Sequence, residues 1–477
     1  MSTGIATVIF ALVILGLFLL DRDSKARTSG ALWVPVLWLA LAGSRAVSQW
    51  LAAFGWGSAG TATDLVAQYE EGSPIDRLIY TGLLIIGLAL LVGRRRQVAS
   101  LLRANVPIIL FVLYCAVSIL WSDYQEVAFK RWTKFLGDLV MILVVLTERD
   151  PSAAVKQLIA RMAFLLIPLS VLFIKYYPDV GRAYNPWVWT PMYSGVATSK
   201  NMLGMICLLC GLGSVWRLLA LYRSGDDRCR NRQLIAHGAI LVMVLWLFNM
   251  ANSMTSLSCF ILASGLLVAI KFSAIARRPK GVHLLVAGMV IGCFATLFLG
   301  VGADVVSDTM ARNTTTLTDR TDIWGLVLSM AGNPIFGTGF ESFWLGDRLR
   351  NIWSVVHGIN QAHNGYLEVY LNLGWIGLFF LAVVLVRGYR NIVTAMCRNP
   401  DVGSLWLAYF SVAVVYNFTE AAFKMMFPVW IFLLLAIVAA AQECAAMVEP
   451  SRLGMASPNP SWTNRRPARK QISEEAV

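Results

Sequence analysis

His363 and Asn364 stand directly before the apolar run "GYLEVYLNLGWIGLFFLAVVLV", in a chain that has only four histidines. A histidine at the mouth of an apolar helix has two readings: it caps the helix, or it serves as a general base. The second is chemically reasonable, because the positive end of a helix dipole disfavours imidazolium and keeps the ring neutral. Upstream, Arg320 and Trp324 lie four residues apart and share one face of a short helical pattern. An arginine can clamp phosphate oxygens with two parallel donors, whereas Lys200 offers a point charge. Arg182 sits amid aromatics in "GRAYNPWVWTPMY". Any single cation in a loop also has the ordinary reading of a solvated side chain. Asn364, Glu368 and Asn372 recur every four residues, a polar stripe whose carboxylate needs a partner. That partner could be His363, an arginine, or a group on a neighbouring helix. Glu420 and Lys424 stand where they can close the same site.

The elements that must position these groups are membrane helices. Hydrophobic residues make up 57% of the sequence and charged ones only 14%, with a mean hydropathy of +0.64, far outside the soluble range. Apolar runs long enough to cross a hydrocarbon core of ~30 Å recur along nearly the whole chain. They fall near 4-20, 31-54, 78-92, 106-121, 135-147, 162-177, 202-221, 234-250, 254-271, 283-301, 366-386, 402-419 and 427-446. The fold class is therefore all-α: a polytopic membrane helix bundle of about 12-13 transmembrane helices over residues 1-447. The first span lacks the basic flank and small-residue cleavage site of a secretory signal and reads as retained. Residues 448-477 read as a disordered basic cytoplasmic tail.

Lys and Arg set the orientation, since they gather in short loops that stay in the cytoplasm. Alternate loops such as "DRDSKART", "GRRRQVASLLR" and "YRSGDDRCRNR" hold most of them. The opposite set, near 55-77, 122-134, 178-201, 302-365 and 420-426, is then extracytoplasmic, and every candidate above lies on that side. The formal charge of +13 is mainly this orientation signal and implies no nucleic acid. All eight cysteines lie in spans or on the cytoplasmic side, so no disulfide framework is expected. The Cys207–Cys210 pair sits inside an apolar helix, where packing is a better reading than zinc. No Walker-type loop, HExxH or GxSxG occurs.

Residues 302-365 form the longest loop, and long loops in tight bundles are functional or disordered. "TLTDRTDIWGLVLSMAGNP" opens with cap residues, continues at helical spacing and stops at Gly332-Asn333-Pro334, which predicts a short helix carrying Arg320 and Trp324. "IFGTGFESFW" follows, with Gly337 and Gly339 permitting a tight turn.

The order "DIW" after a basic residue, then "NPIFGTGFESF", then "AHNGYLEVYLNLGWIG" resembles the O-antigen ligase and O-antigen polymerase superfamily, and exopolysaccharide polymerization proteins within it. "LWSDYQEVAFKRWTKFLGDL", "VATSKNMLGM" and "NSMTSLSCFIL" match further upstream, so the resemblance covers about residues 110 to 425. It implies a metal-independent, cofactor-free membrane glycosyltransferase of the bacterial inner membrane. Such an enzyme joins undecaprenyl-diphosphate-linked oligosaccharide repeat units into exopolysaccharide at the outer face. It implies a catalytic His363 and Arg320, and substrate contacts from Lys200, Arg182, Trp324, Asn364, Glu368 and Glu420. Its expected partners are the lipid-linked oligosaccharide, membrane lipid, a flippase and a chain-length regulator. The chemistry is coherent: cations hold the diphosphate, and a base takes the proton of the attacking hydroxyl.

Three alternatives stay open. A ligase uses the same donor and a different acceptor. A lipid-linked saccharide transporter would show inverted repeats and broken helices, neither of which is apparent in the sequence. A scaffold would not need His, Arg and Lys gathered on the outer face.

Overall fold

The computed structural model describes residues 2–22, 27–56, 72–184, 191–222, 227–272, 278–298, 316–356 and 358–445. The predicted tail and the first part of the long loop, up to residue 315, lie outside the described residues. The described chain is a helix bundle with one two-stranded antiparallel ribbon, β1 (Arg182–Tyr184) against β2 (Pro191–Tyr193), entered from the single-turn α9 (Pro178–Gly181).

Eight described helices are long and apolar enough to cross a membrane. They are α1 (Thr3–Leu20), α4 (Pro74–Val92), α8 (Pro151–Tyr176), α10 (Lys200–Leu221), α11 (Asp227–Ala251), α12 (Met254–Phe272), α16 (Gly365–Arg398) and α18 (Pro428–Ala445). The chain is thus a multi-pass membrane protein. Two more predicted spans are bent: α2 (Trp33–Ala42) turns by 61° into α3 (Val47–Ala53), and α5 (Arg95–Ala104) meets α6 (Val106–Val117) at 91°. In the second pair the arginine-rich α5 occupies the predicted cytoplasmic loop, and Pro107 at the start of α6 lacks the N–H that a continuous helix would need. The remaining predicted spans coincide with α7 (Gln125–Leu146), α13 (Pro279–Phe298) and α17 (Pro400–Tyr416), which are more charged or shorter.

The centre of the bundle is α8, α10, α17 and α18, apolar on all sides and buried against one another. Helices α1 and α4 lie outside, with Leu12, Leu78, Ile85 and Val92 exposed, surface that lipid covers. Glycine lets helices approach closely where a side chain cannot fit: Gly204 of α10 meets Ser253 and Ser256, whose hydroxyls bond each other at 3.2 Å. Thr255 bonds Thr419 at 3.1 Å, so this serine-threonine group joins helices. Cys207 and Cys210 are fully buried in α10, and all eight cysteines are free thiols.

Buried ionisable groups in and beside the spans have specific partners. Asp138 accepts from the Trp38 indole at 2.8 Å and from the Met426 amide at 2.9 Å, tying α7 to α2 and to the segment before α18. Arg45 donates to the carbonyls of Val180 and Gly195, and Arg217 pairs loosely with Asp21 at 3.8 Å.

The long loop folds into a lobe with its own small core, in which Val327, Phe343, Leu349, Ile352 and Leu371 pack together. It contains α14 (Thr316–Ser329), close to the predicted helix, and α15 (Gly346–Val355). Asn333 ends the first by accepting from the amides of Ile335 and Phe336.

The absence of broken helices expected from the sequence is corrected by the structure. Helix α16 is interrupted at Gly374, with φ 63° and ψ −163°. The break frees carbonyls that the loop uses: Thr338 N–H bonds Leu371 O at 3.1 Å and Gly339 N–H bonds Asn372 O at 2.8 Å. In return Trp375 N–H bonds Pro334 O at 2.9 Å. A Cβ on Gly374 would stand 2.2 Å from Ile335 O, so only glycine admits this crossing. The interruption therefore seats the lobe on the bundle.

Candidate active site

Helix α16 starts where the sequence pattern places it, and Asn364 is its cap. The Asn364 Oδ1 accepts from the Tyr366 and Leu367 amides, each at 3.0 Å. His363 lies outside the helix in the left-handed region, at φ 50°, so it does not supply the cap. Capping is thereby excluded for His363, and its imidazole is left to contacts outside the helix.

The imidazole meets the segment that follows α17. His363 Nδ1 lies 3.2 Å from Glu420 Oε2. The other carboxylate oxygen accepts from Asn201 Nδ2 at 3.0 Å and lies 3.5 Å from an Arg320 nitrogen. One carboxylate thus gathers Arg320 of α14, Asn201 of α10 and His363. A carboxylate can only accept, so Nδ1 carries the proton towards Glu420, which leaves Nε2 as the basic nitrogen. The His363 side chain is 26% exposed and the Glu420 side chain 8%, so the imidazole is reachable while its partner is shielded.

Backbone geometry around the cluster is tight. Gly365 N–H donates to Asn417 O at 2.8 Å, and a Cβ on Gly365 would lie 1.8 Å from Asn417 Oδ1. That oxygen accepts from the amides of Ala422 and Phe423, fixing the turn that carries Glu420 and Lys424. Lys424 donates to Gln361 Oε1 at 3.2 Å, and the Gln361 amide nitrogen stands 3.4 Å from His363 Nδ1.

The other sequence-derived candidates are placed as follows. Trp324 packs in the lobe and spends its indole N–H on the Ala362 carbonyl at 2.8 Å, steadying the residue before His363. Glu368 does not touch His363; its carboxylate accepts from Trp344 Nε1 at 2.9 and 3.1 Å and from Ala362 N–H at 2.6 Å. Asn372 accepts from the amides of Ser342 and Phe343. Lys200 is the first residue of α10, next to Asn201, and makes no ion pair or hydrogen bond among the described residues. Arg182 is not brought to the cluster: its Nε donates to Ile174 O at 2.9 Å and its guanidinium lies over Tyr193. Residues 185–190 of its aromatic loop lie outside the described residues.

Asn201, which follows Lys200 in the matched "VATSKNMLGM" motif, shares in the arrangement, as do Gln361, Trp344 and Asn417, which carry little signal of their own in the sequence. Asn417 and Gln361 are polar interruptions beside apolar helices, a pattern that flags a position without naming its partner. Among the described residues no group of three or more His, Cys, Asp or Glu side chains converges as a metal site would require.

Two comparisons with known proteins found similarity. A family model described as O-Antigen ligase matches residues 202–382, a stretch that holds Arg320, Trp324, His363, Asn364 and Glu368. The exopolysaccharide production protein ExoQ of Rhizobium meliloti (strain 1021) is 24% identical over 340 residues, which span 69% of this chain and 74% of ExoQ.

Proposed function

The chain resembles the O-antigen ligase family in its motifs and its matches, and on that premise we propose that it is a membrane glycosyltransferase of exopolysaccharide production. Its substrates are saccharides carried on undecaprenyl diphosphate, its place is the outer face of the bacterial inner membrane, and its product is a longer saccharide. A flippase that delivers the units and a regulator of chain length are the partners such a reaction calls for. The observation that carries the reading is the convergence of Arg320, Asn201 and His363 on Glu420, three separate elements meeting at the outer ends of α10 and α16.

In this reading the acceptor hydroxyl gives its proton to His363 Nε2 while its oxygen attacks the anomeric carbon of the donor. The bond from that carbon to the diphosphate oxygen breaks, and the lipid diphosphate leaves with the electron pair. Glu420 holds the imidazole in the required tautomer and stabilises the imidazolium that forms. Arg320 reaches Glu420 with one nitrogen, so further donors of its fork, unbonded among the described residues, can meet phosphate oxygens as leaving charge develops. Lys200, unpaired at the outer end of α10, adds a second positive charge. The cations supply the charge that a divalent metal provides in other phosphate-dependent transferases. Purified chain in lipid vesicles, given only a lipid-linked oligosaccharide in EDTA, should lengthen it. A requirement for an added divalent cation would count against this mechanism.

A further inference from the structure

The Arg320 cluster is not the only concentration of cations facing the outer side. A cleft of about 550 Å³ lies between α4 and α7, with Arg77, Lys130, Arg131, Lys134 and Lys424 on its walls against Asp76 and Glu341. We propose that this cleft is a second site for a diphosphate-linked saccharide, so that the chain holds two lipid-linked substrates at once. The proposal rests on the glycosyltransferase reading and adds to it the place of the second substrate.

Five cations face two carboxylates, so positive charge remains in the cleft even though Lys130 pairs with Glu126. Asp76 is occupied, accepting from the Ser48 amide at 2.9 Å and the Ser48 hydroxyl at 2.5 Å. The Lys134 ammonium, half-buried, sits 5.0 Å from the centroid of the Tyr80 ring and makes no ion pair or hydrogen bond among the described residues. A cation left in that state beside an open volume gains most from a mobile anion. Arg131 is oriented by donation to the Glu341 carbonyl, and Glu341 holds the left-handed φ of 51° that turns this carbonyl towards it.

Shape and surroundings fit a lipid-linked sugar. The volume lies in the range of small-ligand sites, and the exposed Phe129 ring gives a face against which a pyranose packs. The outward face of α4 beside the cleft exposes Leu78 and Ile85, so a polyprenyl tail can remain in lipid while the headgroup enters sideways.

The cleft also reaches towards the cluster. Arg131, Glu341 and Lys424 line both it and a narrower recess that ends on Trp344, Glu368 and Asn372. Lys424 then bonds Gln361, whose side chain lies beside His363. Two cationic sites thus flank one short chain of side chains, the arrangement needed when two anionic lipid-linked molecules react with each other.

The test uses the full chain in nanodiscs with farnesyl diphosphate as the probe, counting bound molecules by titration calorimetry. Acylation of Lys130 and Lys134, read by mass spectrometry, reports on the cleft in the unmodified protein. Two molecules per chain are expected, with both lysines protected. Lys130→Gln with Lys134→Gln should weaken one site at least ten-fold and spare the other; Arg320→Gln should do the reverse and leave Lys130 and Lys134 protected. A single site lost in Arg320→Gln, with unprotected cleft lysines, would overturn this proposal and leave the glycosyltransferase reading standing. Equal protection by farnesol would overturn it too, because the diphosphate would then contribute nothing. Failure of the probe to bind anywhere would sink both readings.

Discussion

Replacing His363 by Asn isolates the role of the imidazole, because the structure predicts what the change leaves alone. The residue occupies φ 50°, and asparagine is among the side chains that tolerate the left-handed region. The helix cap belongs to Asn364 and stays. The contact that goes is one hydrogen bond to Glu420 at 3.2 Å, worth about 0.5 to 1.5 kcal/mol at most and less for a partly exposed group. The Asn amide can replace part of it. Stability and membrane abundance should therefore stay close to those of the unchanged protein. The rate should not: a lost general base costs about 10²- to 10⁴-fold, equivalent to roughly 2.7 to 5.4 kcal/mol of barrier. The assay is polymer formed per unit of protein in the membrane, alongside thermal unfolding of the purified variant. Polymer yield near that of the unchanged protein would remove His363 from the mechanism and leave Arg320 and Lys200 as electrostatic catalysts.

Arg320→Lys keeps the charge and loses the fork, so activity should fall by the worth of a charge-assisted hydrogen bond, about 1.5 to 3 kcal/mol or roughly ten- to a hundred-fold; unchanged kinetics would show that the fork is not used. Burial pushes the Glu341 carboxyl above its ordinary value of 4.5, against the opposing pull of Lys424 and Arg131. The folded state therefore holds that proton more tightly than the unfolded one, and the stability it contributes is complete below the ordinary value and lost as pH rises towards the folded value. Melting temperature should accordingly drop with rising pH more in the unchanged protein than in Glu341→Gln, and parallel curves would refute this. A reporter active only outside the cytoplasm should work when fused near residue 345 and stay silent near residues 98, 226 and 460; activity at 460 would overturn the odd span count or the orientation.

The parts of the molecule legible in the sequence are those fixed by local chemistry. Long apolar runs mark α8, α10 and α18 because lipid demands satisfied backbone over a fixed thickness. The pattern after Thr316 marks a helix because apolar residues recur at helical spacing, whereas at α16 the sequence offers His363 as the cap and the structure gives that place to Asn364. Helix α15, "GDRLRNIWSV", escapes notice because it is short and rich in charge, and its stability comes from Leu349 and Ile352 packing in the lobe. The break at Gly374 is hidden in "NLGWIG", since a glycine inside an apolar run is common in membrane helices and its conformation here is imposed by Ile335 O across the crossing. The union of Glu420 with His363, Asn201 and Arg320 lies furthest from the sequence pattern. It depends on how α10, α14, α16 and α17 come together, and no spacing along one chain encodes it.

The claim that this chain joins lipid-linked saccharides is tested most directly by the lipid-linked pool of a strain that lacks it. Single repeat units accumulating on the undecaprenyl carrier, with no polymer, are predicted. Full-length polymer left on the carrier would contradict the account by assigning chain growth to another protein, and unchanged polymer would contradict it altogether.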